Sequence, residues 1–196
     1  MDFTVQLAKK AGNYLKENFG KDLTLEYKGR IDLVTKIDRG SQDLIVAEIE
    51  QSFPDHSIVA EEGVSREKGR EYTWFIDPLD GTVNYVHRIP FFCVSLALYR
   101  NMEPFIGVCY NPLSGDVFCA QRGSGAFRNG ERIAVSSSSR LVDSLVVTGF
   151  PYSLAVLDDS IARFTRILRE VQGIRMLGSA ALDLCFCASG FFHGFW

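Results

Sequence analysis

The chain has 196 residues, 46% of them hydrophobic and 23% charged, with a formal net charge of −3. That is enough apolar material to bury a substantial core in one or two domains. No run of Lys or Arg exceeds a couple of residues and no apolar run reaches the ~18 residues of a membrane helix, so neither nucleic acid nor a membrane is expected as a partner.

The first segment, MDFTVQLAKKAGNYLKENFG, lacks the basic end and apolar core of a secretion signal, which points to the cytoplasm. Instead Phe3, Leu7, Ala11 and Leu15 recur every four residues, predicting an amphipathic helix over residues 3 to 19 that stops at Gly20. LTLEYKG and DLVTKID are short and extended in character, and a second helix is expected from Arg39 to Phe53, ended by Pro54. From HSIVAEEG onward the period changes to β. YTWFID, FFCVSLALYR, PFIGVCYN, DVFCAQRG, GAFRNG and ERIAVS follow one another at intervals of roughly ten residues, and Asn129-Gly130 is a two-residue hairpin signal. This predicts an antiparallel meander on a helical layer, residues 1 to 139.

Beyond the Ser136 to Ser139 run, residues 140 to 196 read as an incomplete α/β part: a strand in SLVVTGF, a helix from Asp158 to Val171, a strand in GIRMLG and a helix in SAALDLCFCAS. The terminal FFHGFW is strand-like and apolar, and nothing downstream supplies it with a sheet partner. Cys93, Cys109, Cys119, Cys185 and Cys187 lie in apolar runs without metal-ligand or disulfide spacing and read as reduced core residues.

Chemistry concentrates in the acidic residues Asp32, Asp38, Glu61, Glu62, Asp77 and Asp80, each in a predicted loop or at a strand end. Each has an ordinary reading: Asp-Pro and Asp-Gly are turn formers, Asp38 is placed to cap a helix, Glu61-Glu62 suits a solvated strand end, and Gly178-Ser179 suits a helix start. Together they read differently. Two carboxylates directly after the apolar WFI run are costly unless cations or donors compensate them, and magnesium takes clustered oxygen ligands of this kind. Pro78 stiffens the segment, Gly81 permits close backbone approach, and the amides that follow suit a phosphate oxygen. No cysteine opens an anion-binding C-x5-R loop, and His56, His87 and His193 lack a triad partner.

The stretches DLVTKID (32 to 38), AEEG (60 to 63), WFIDPLDGTVNY (74 to 85), GSGAFRNGERI (123 to 133) and LGSAALDLCFCASG (177 to 190) resemble, in order, those of the inositol monophosphatase family of magnesium-dependent phosphatases. The resemblance implies an α+β fold, a layered αβαβα sandwich whose second α/β layer is incomplete here. It also implies two or three Mg2+ ions, with Mn2+ as a substitute. Glu61, Asp77 and the Leu79 carbonyl match the shell of one ion, and Asp77 with Asp80 match ligands of a second. Asp38 and Thr82 match the pair that orients and deprotonates the attacking water, and Glu61 joins them as catalytic. The Gly81 and Thr82 amides match the phosphate cradle, while Asp80, Gly178, Ser179 and Ala180 match groups facing the alcohol.

A small phosphorylated polyol or sugar, inositol 1-phosphate above all, is the substrate so implied; homodimerisation and lithium sensitivity come with it. Relatives acting on fructose bisphosphate, a nucleotide phosphate or histidinol phosphate share the same metal core, and a non-catalytic regulatory protein of phosphatase ancestry or an incomplete reading frame are the rival readings. The family pattern continues past the position of Trp196 with an acidic substrate contact and a Trp-Asp pair that supplies a further metal ligand. Impaired activity is therefore the expectation for the 196-residue chain.

Overall fold

A computed structural model of the chain describes residues 1–21, 25–27, 33–69, 71–150 and 154–196. Helix α1 (Asp2–Asn18) buries Leu7, Ala8, Ala11 and Leu15, the face predicted by the four-residue spacing. Short antiparallel strands β1 (Leu25–Tyr27) and β2 (Leu33–Thr35) lead into α2 (Lys36–Ser52). This helix starts three residues before the expected Arg39, and the capping chemistry explains why. The Thr35 hydroxyl accepts from the amides of Ile37 and Asp38, and Asp38 returns the bond to the Thr35 amide, a reciprocal pair worth about 1 kcal/mol. Asp38 is thus the third residue of the helix, with Thr35 at its cap.

The main sheet has eight strands: β3 (Ser57–Ala60), β4 (Ser65–Arg66), β5 (Tyr72–Asp80), β6 (Cys93–Arg100), β7 (Glu103–Asn111), β8 (Asp116–Gln121), β9 (Gly125–Arg128) and β10 (Glu131–Arg132). Their spatial order is β10-β9-β8-β7-β6-β5-β3-β4. The expected meander holds from β5 to β10, where Asn129 and Gly130, both at positive φ, turn the last hairpin. One pairing departs from it: β3 runs parallel to β5. Helices α1 and α2 cover one face, and between them and the sheet lies a core containing Ile45, Ile49, Ile58, Trp74, Leu96 and Val108.

His56 sits in this layer between the rings of Phe53 and Tyr72, at 4.8 and 4.7 Å, and its Nδ1 accepts from Trp74 Nε1 at 3.0 Å. Burial, opposed by Asp55 and Glu71, lowers its pKa from the ordinary 6.5. A histidine lowered in the folded state contributes stability above its unfolded pKa and loses it as pH falls through the folded midpoint. Trp74→Phe removes the donor that needs an unprotonated Nδ1, so the His56 midpoint in an NMR titration should rise toward 6.5.

Toward the C-terminus follow β11 (Leu145–Val147), α4 (Leu157–Leu168), β12 (Gly173–Arg175) and α5 (Ala180–Ala188), with β11 and β12 parallel. Helix α5 returns to the second face of the main sheet, where Leu182 packs with Cys93 and Phe118 and is flanked by Phe91, Cys109, Cys185 and Phe186. The result is a mixed α+β fold with a multistranded sheet flanked by helices. All five cysteines are free thiols.

The terminal FFHGFW run does find a partner, and it lies upstream. Phe195 bridges Val147 in parallel, the Val147 amide donates to Gly194 at 2.9 Å, and the His193 amide donates to Leu145 at 2.8 Å. The run extends β11 on the side away from β12, a pairing that sequence order conceals. Among the described residues no helix is long and apolar enough to cross a membrane.

Candidate active site

The stretch Asp77-Pro78-Leu79-Asp80 is a bulged continuation of β5, where a reversing turn had been one of the readings. Asp77 pairs with Ser95 and Asp80 with Cys93, so two residues of β5 oppose one of β6. In a regular strand, side chains three positions apart point to opposite faces; the extra residue puts both aspartates on one side. Proline is tolerated because the bulge requires no ladder donor there. Ser41 on α2 fixes the bulge by donating to the Pro78 carbonyl at 3.0 Å. Beyond it Gly81, at φ +95°, starts the short helix α3 (Thr82–Val86).

These elements wall a cavity of about 550 Å³. Glu61, from the loop after β3, meets Asp77 and Asp80 there, and its carboxylate is within hydrogen-bonding reach of Asp77. The same wall carries Leu79, Gly81, Thr82, Gly178, Ser179 and Ala180. Of the other acidic candidates, Glu62 does not line the cavity and Asp32 lies outside the described residues. Asp38 stands one layer back, 1% exposed, and reaches the cavity through Thr82, whose hydroxyl is 3.0 Å from both Asp38 Oδ1 and the Leu79 carbonyl. The two oxygens of Asp38 therefore have separate tasks: Oδ2 takes the Thr35 amide and hydroxyl, and Oδ1 takes Thr82.

Asp80 is held differently. Its Oδ2 accepts from the Ser179 hydroxyl and from the Ala181 amide at 2.8 Å, so it acts as a cross-sheet cap for α5, whose own N-cap Ser179 makes no side-chain cap. The Ser179 hydroxyl, expected to face the alcohol of a substrate, donates to this carboxylate.

The electrostatics are one-sided. Among the described residues, four carboxyl residues, Glu61, Asp77, Asp80 and Asp183, line the cavity, and no Lys, Arg or His does. Burial first, then the Glu61 and Asp80 charges, pushes the Asp77 carboxyl well above the ordinary range. Burial also raises Asp38 and Asp80 despite the hydrogen bonds they accept. An all-oxygen donor set of clustered carboxylates fits hard divalent cations. Among the described residues no three Asp, Glu, His or Cys side chains close on a single point, a geometry that two carboxylates per ion do not require.

Asp183 was missed in the sequence. It is the one charged position in the apolar SAALDLCFC helix, it is 2% exposed, and its Oδ1 has no partner among the described residues. An acid four residues into a helix that otherwise reads as buried is the signal that could have found it.

The match to the inositol monophosphatase family covers residues 1–196. The chain belongs to that family. Inositol monophosphatase 2 of Solanum lycopersicum is 42% identical over 97% of this chain and 74% of its own length. A fructose-1,6-bisphosphatase/inositol-1-monophosphatase of Aquifex aeolicus is 43% identical over 93% of this chain and 70% of its own. The crystal structure of extragenic suppressor protein suhB from Bartonella henselae superposes with a TM-score of 0.97 at 39% identity, covering 100% of this chain and 77% of that one. Membership in the inositol monophosphatase family makes the protein a phosphatase, a phosphoric monoester hydrolase, and its cavity the place to look for that chemistry.

Gly81 and Gly178 bring the two cavity walls together. A Cβ on Gly81 would stand 3.1 Å from the Phe91 carbonyl and 3.2 Å from that of Gly178, at a φ that L side chains avoid. Gly81→Ala should lower stability by about 1–2 kcal/mol in denaturant melts. It should also displace Thr82, the next residue, so phosphatase activity is expected to fall further than unfolding alone explains.

Proposed function

We propose that this chain is a divalent-metal-dependent phosphomonoesterase that hydrolyses inositol 1-phosphate or a related small sugar or polyol phosphate with an activated water. The observation that carries this is the cavity lined, among the described residues, by four acidic side chains and no cationic one, set against the Thr82–Asp38 pair. A phosphate dianion cannot enter such a cavity unless cations accompany it, since uncompensated like charges at close range cost several kcal/mol.

Glu61, Asp77 and the Leu79 carbonyl would hold one ion, Asp77 and Asp80 a second, with Mg2+ the natural fit and Mn2+ a substitute. Divalent cations bound there would neutralise the carboxylates, polarise the phosphoryl oxygens and stabilise the departing alkoxide. Thr82 orients the attacking water: its proton goes to Asp38 Oδ1, leaving the hydroxyl oxygen to accept a proton from the water. Asp38, raised above an ordinary aspartate by burial, is the better proton acceptor for it. As the water oxygen bonds to phosphorus the ester oxygen leaves on the opposite side and takes its proton from solvent. The first amides of α3, which lack partners within the helix, face the phosphate.

The likeness to the Aquifex enzyme adds fructose 1,6-bisphosphate as a second substrate to test. Phosphate release from both esters, with and without Mg2+, decides between them. Failure of either ester to yield phosphate at any Mg2+ or Mn2+ concentration would remove this reading. A homodimer in the cytoplasm, inhibited by lithium, belongs to the same proposal, and sedimentation velocity with a lithium titration of activity tests its first and last parts.

A further inference from the structure

We infer that Asp183 reads the alcohol half of the substrate, as a specificity-determining acceptor for a hydroxyl of the leaving group. The inference rests on the phosphatase reading above. Asp183 is the fourth residue of α5, and a helical side chain lies over the turn that precedes it, here Ser179 and Ala180. It lines the cavity together with Asp80, whose charge acts on it.

Its state in the fold is unusual. The residue is 2% exposed, it lines the cavity, and its Oδ1 is sealed from solvent without a hydrogen-bond partner among the described residues. A buried acceptor left in that condition is costly, and such groups in a cavity wall mark places where a ligand supplies the missing donor. The neighbouring acid is Asp80, whose Oδ2 is already filled by Ser179 and Ala181. A ligand hydroxyl in the cavity is a donor of the kind an Asp183 carboxyl oxygen accepts. Polyols and sugars carry such hydroxyls next to the ester carbon, and simple alkyl phosphates do not.

The test is calorimetric binding in millimolar Mg2+, on a Thr82→Ala background that slows cleavage, of three esters: inositol 1-phosphate, ethyl phosphate and 2-aminoethyl phosphate. Asp183→Leu should weaken inositol 1-phosphate about tenfold and leave ethyl phosphate within about twofold. Asp183→Asn, which keeps an acceptor, should retain most of the inositol 1-phosphate affinity. The Leu variant should melt no lower than its parent because it removes an unpartnered buried carboxyl; if it fails to fold, Asp183→Ala, which also removes the acceptor, carries the comparison with the three esters. Equal loss for all three esters, or no loss for any, overturns the inference while leaving the phosphatase reading in place. A larger loss for 2-aminoethyl phosphate than for inositol 1-phosphate also overturns it, in favour of an ammonium site. If inositol 1-phosphate and ethyl phosphate both fail to bind before Asp183 is changed, the proposed function falls and this inference with it.

Discussion

Metal-free protein near neutral pH should melt about 5–10 °C below protein in millimolar Mg2+, and Asp77→Asn should abolish that difference. The magnitude follows from linkage. A ligand at about a hundred times its dissociation constant contributes about 2.7 kcal/mol, and a chain of this size gains about 2–4 °C per kcal/mol. The direction follows from the cavity, where Glu61 and Asp80 both act on the buried Asp77 carboxyl and no cationic side chain among the described residues lines the wall. For the same reason Asp77→Asn should melt higher than wild type in chelator. Removing the carboxyl on which burial, Glu61 and Asp80 all act relieves a cost that a cation relieves in the wild type. Differential scanning calorimetry of both proteins, with Mg2+ and with chelator, measures all four values. An undiminished Mg2+ shift in the Asn variant would place the ions elsewhere.

Thr82→Ala should lower Mg2+-dependent phosphate release by about 10²–10⁴-fold, the range of a positioned proton relay. Thr82→Ser keeps the hydroxyl and should recover most of the rate. Asp38→Asn should be equally damaging, although the two variants part company in stability. Asp38 Oδ2 also closes the capping box of α2, so its loss costs about 1 kcal/mol of fold, while Thr82→Ala leaves that cap untouched. Thr35→Ala separates the two roles: it removes the cap hydroxyl and one donor to Asp38, and should show the stability loss with a smaller loss of rate. Chemical denaturation beside initial-rate measurements on the four variants resolves the pattern. A Thr82→Ala enzyme with wild-type turnover would assign the water to another group.

Much of this architecture was legible because it is local. The four-residue spacing of Phe3, Leu7, Ala11 and Leu15 names the buried face of α1, and Asn129-Gly130 names its hairpin, since both signals act within a few residues. The convergence of Glu61, Asp77, Asp80 and Thr82 on one cavity was also foreseen, although from the family resemblance and the expense of carboxylates beside an apolar strand.

Long-range pairing was not legible. The parallel union of β3 with β5 and of the C-terminal run with β11 depends on chain crossing, which periodicity does not encode. The bulge at Pro78 escaped notice because Asp-Pro and Asp-Gly are equally good turn signals; Ser41 and the register with β6 decide the outcome. Asp80 as a cap for α5 and Asp183 as a buried acid both arise from the return of α5 to the sheet, about a hundred residues along the chain.

Asn84 adds a mechanical consequence. Its amide nitrogen donates to the Phe91 carbonyl at 2.7 Å and to the Leu177 carbonyl at 2.6 Å, riveting the segment after α3 to the one before α5. The segment after α3 and the segment before α5 consequently share a fastener, so neither can swing without dragging its counterpart. Traffic into the pocket has to pass over its rim, and a carboxylate at this position, meeting two carbonyl oxygens with like polarity, would pry the halves apart.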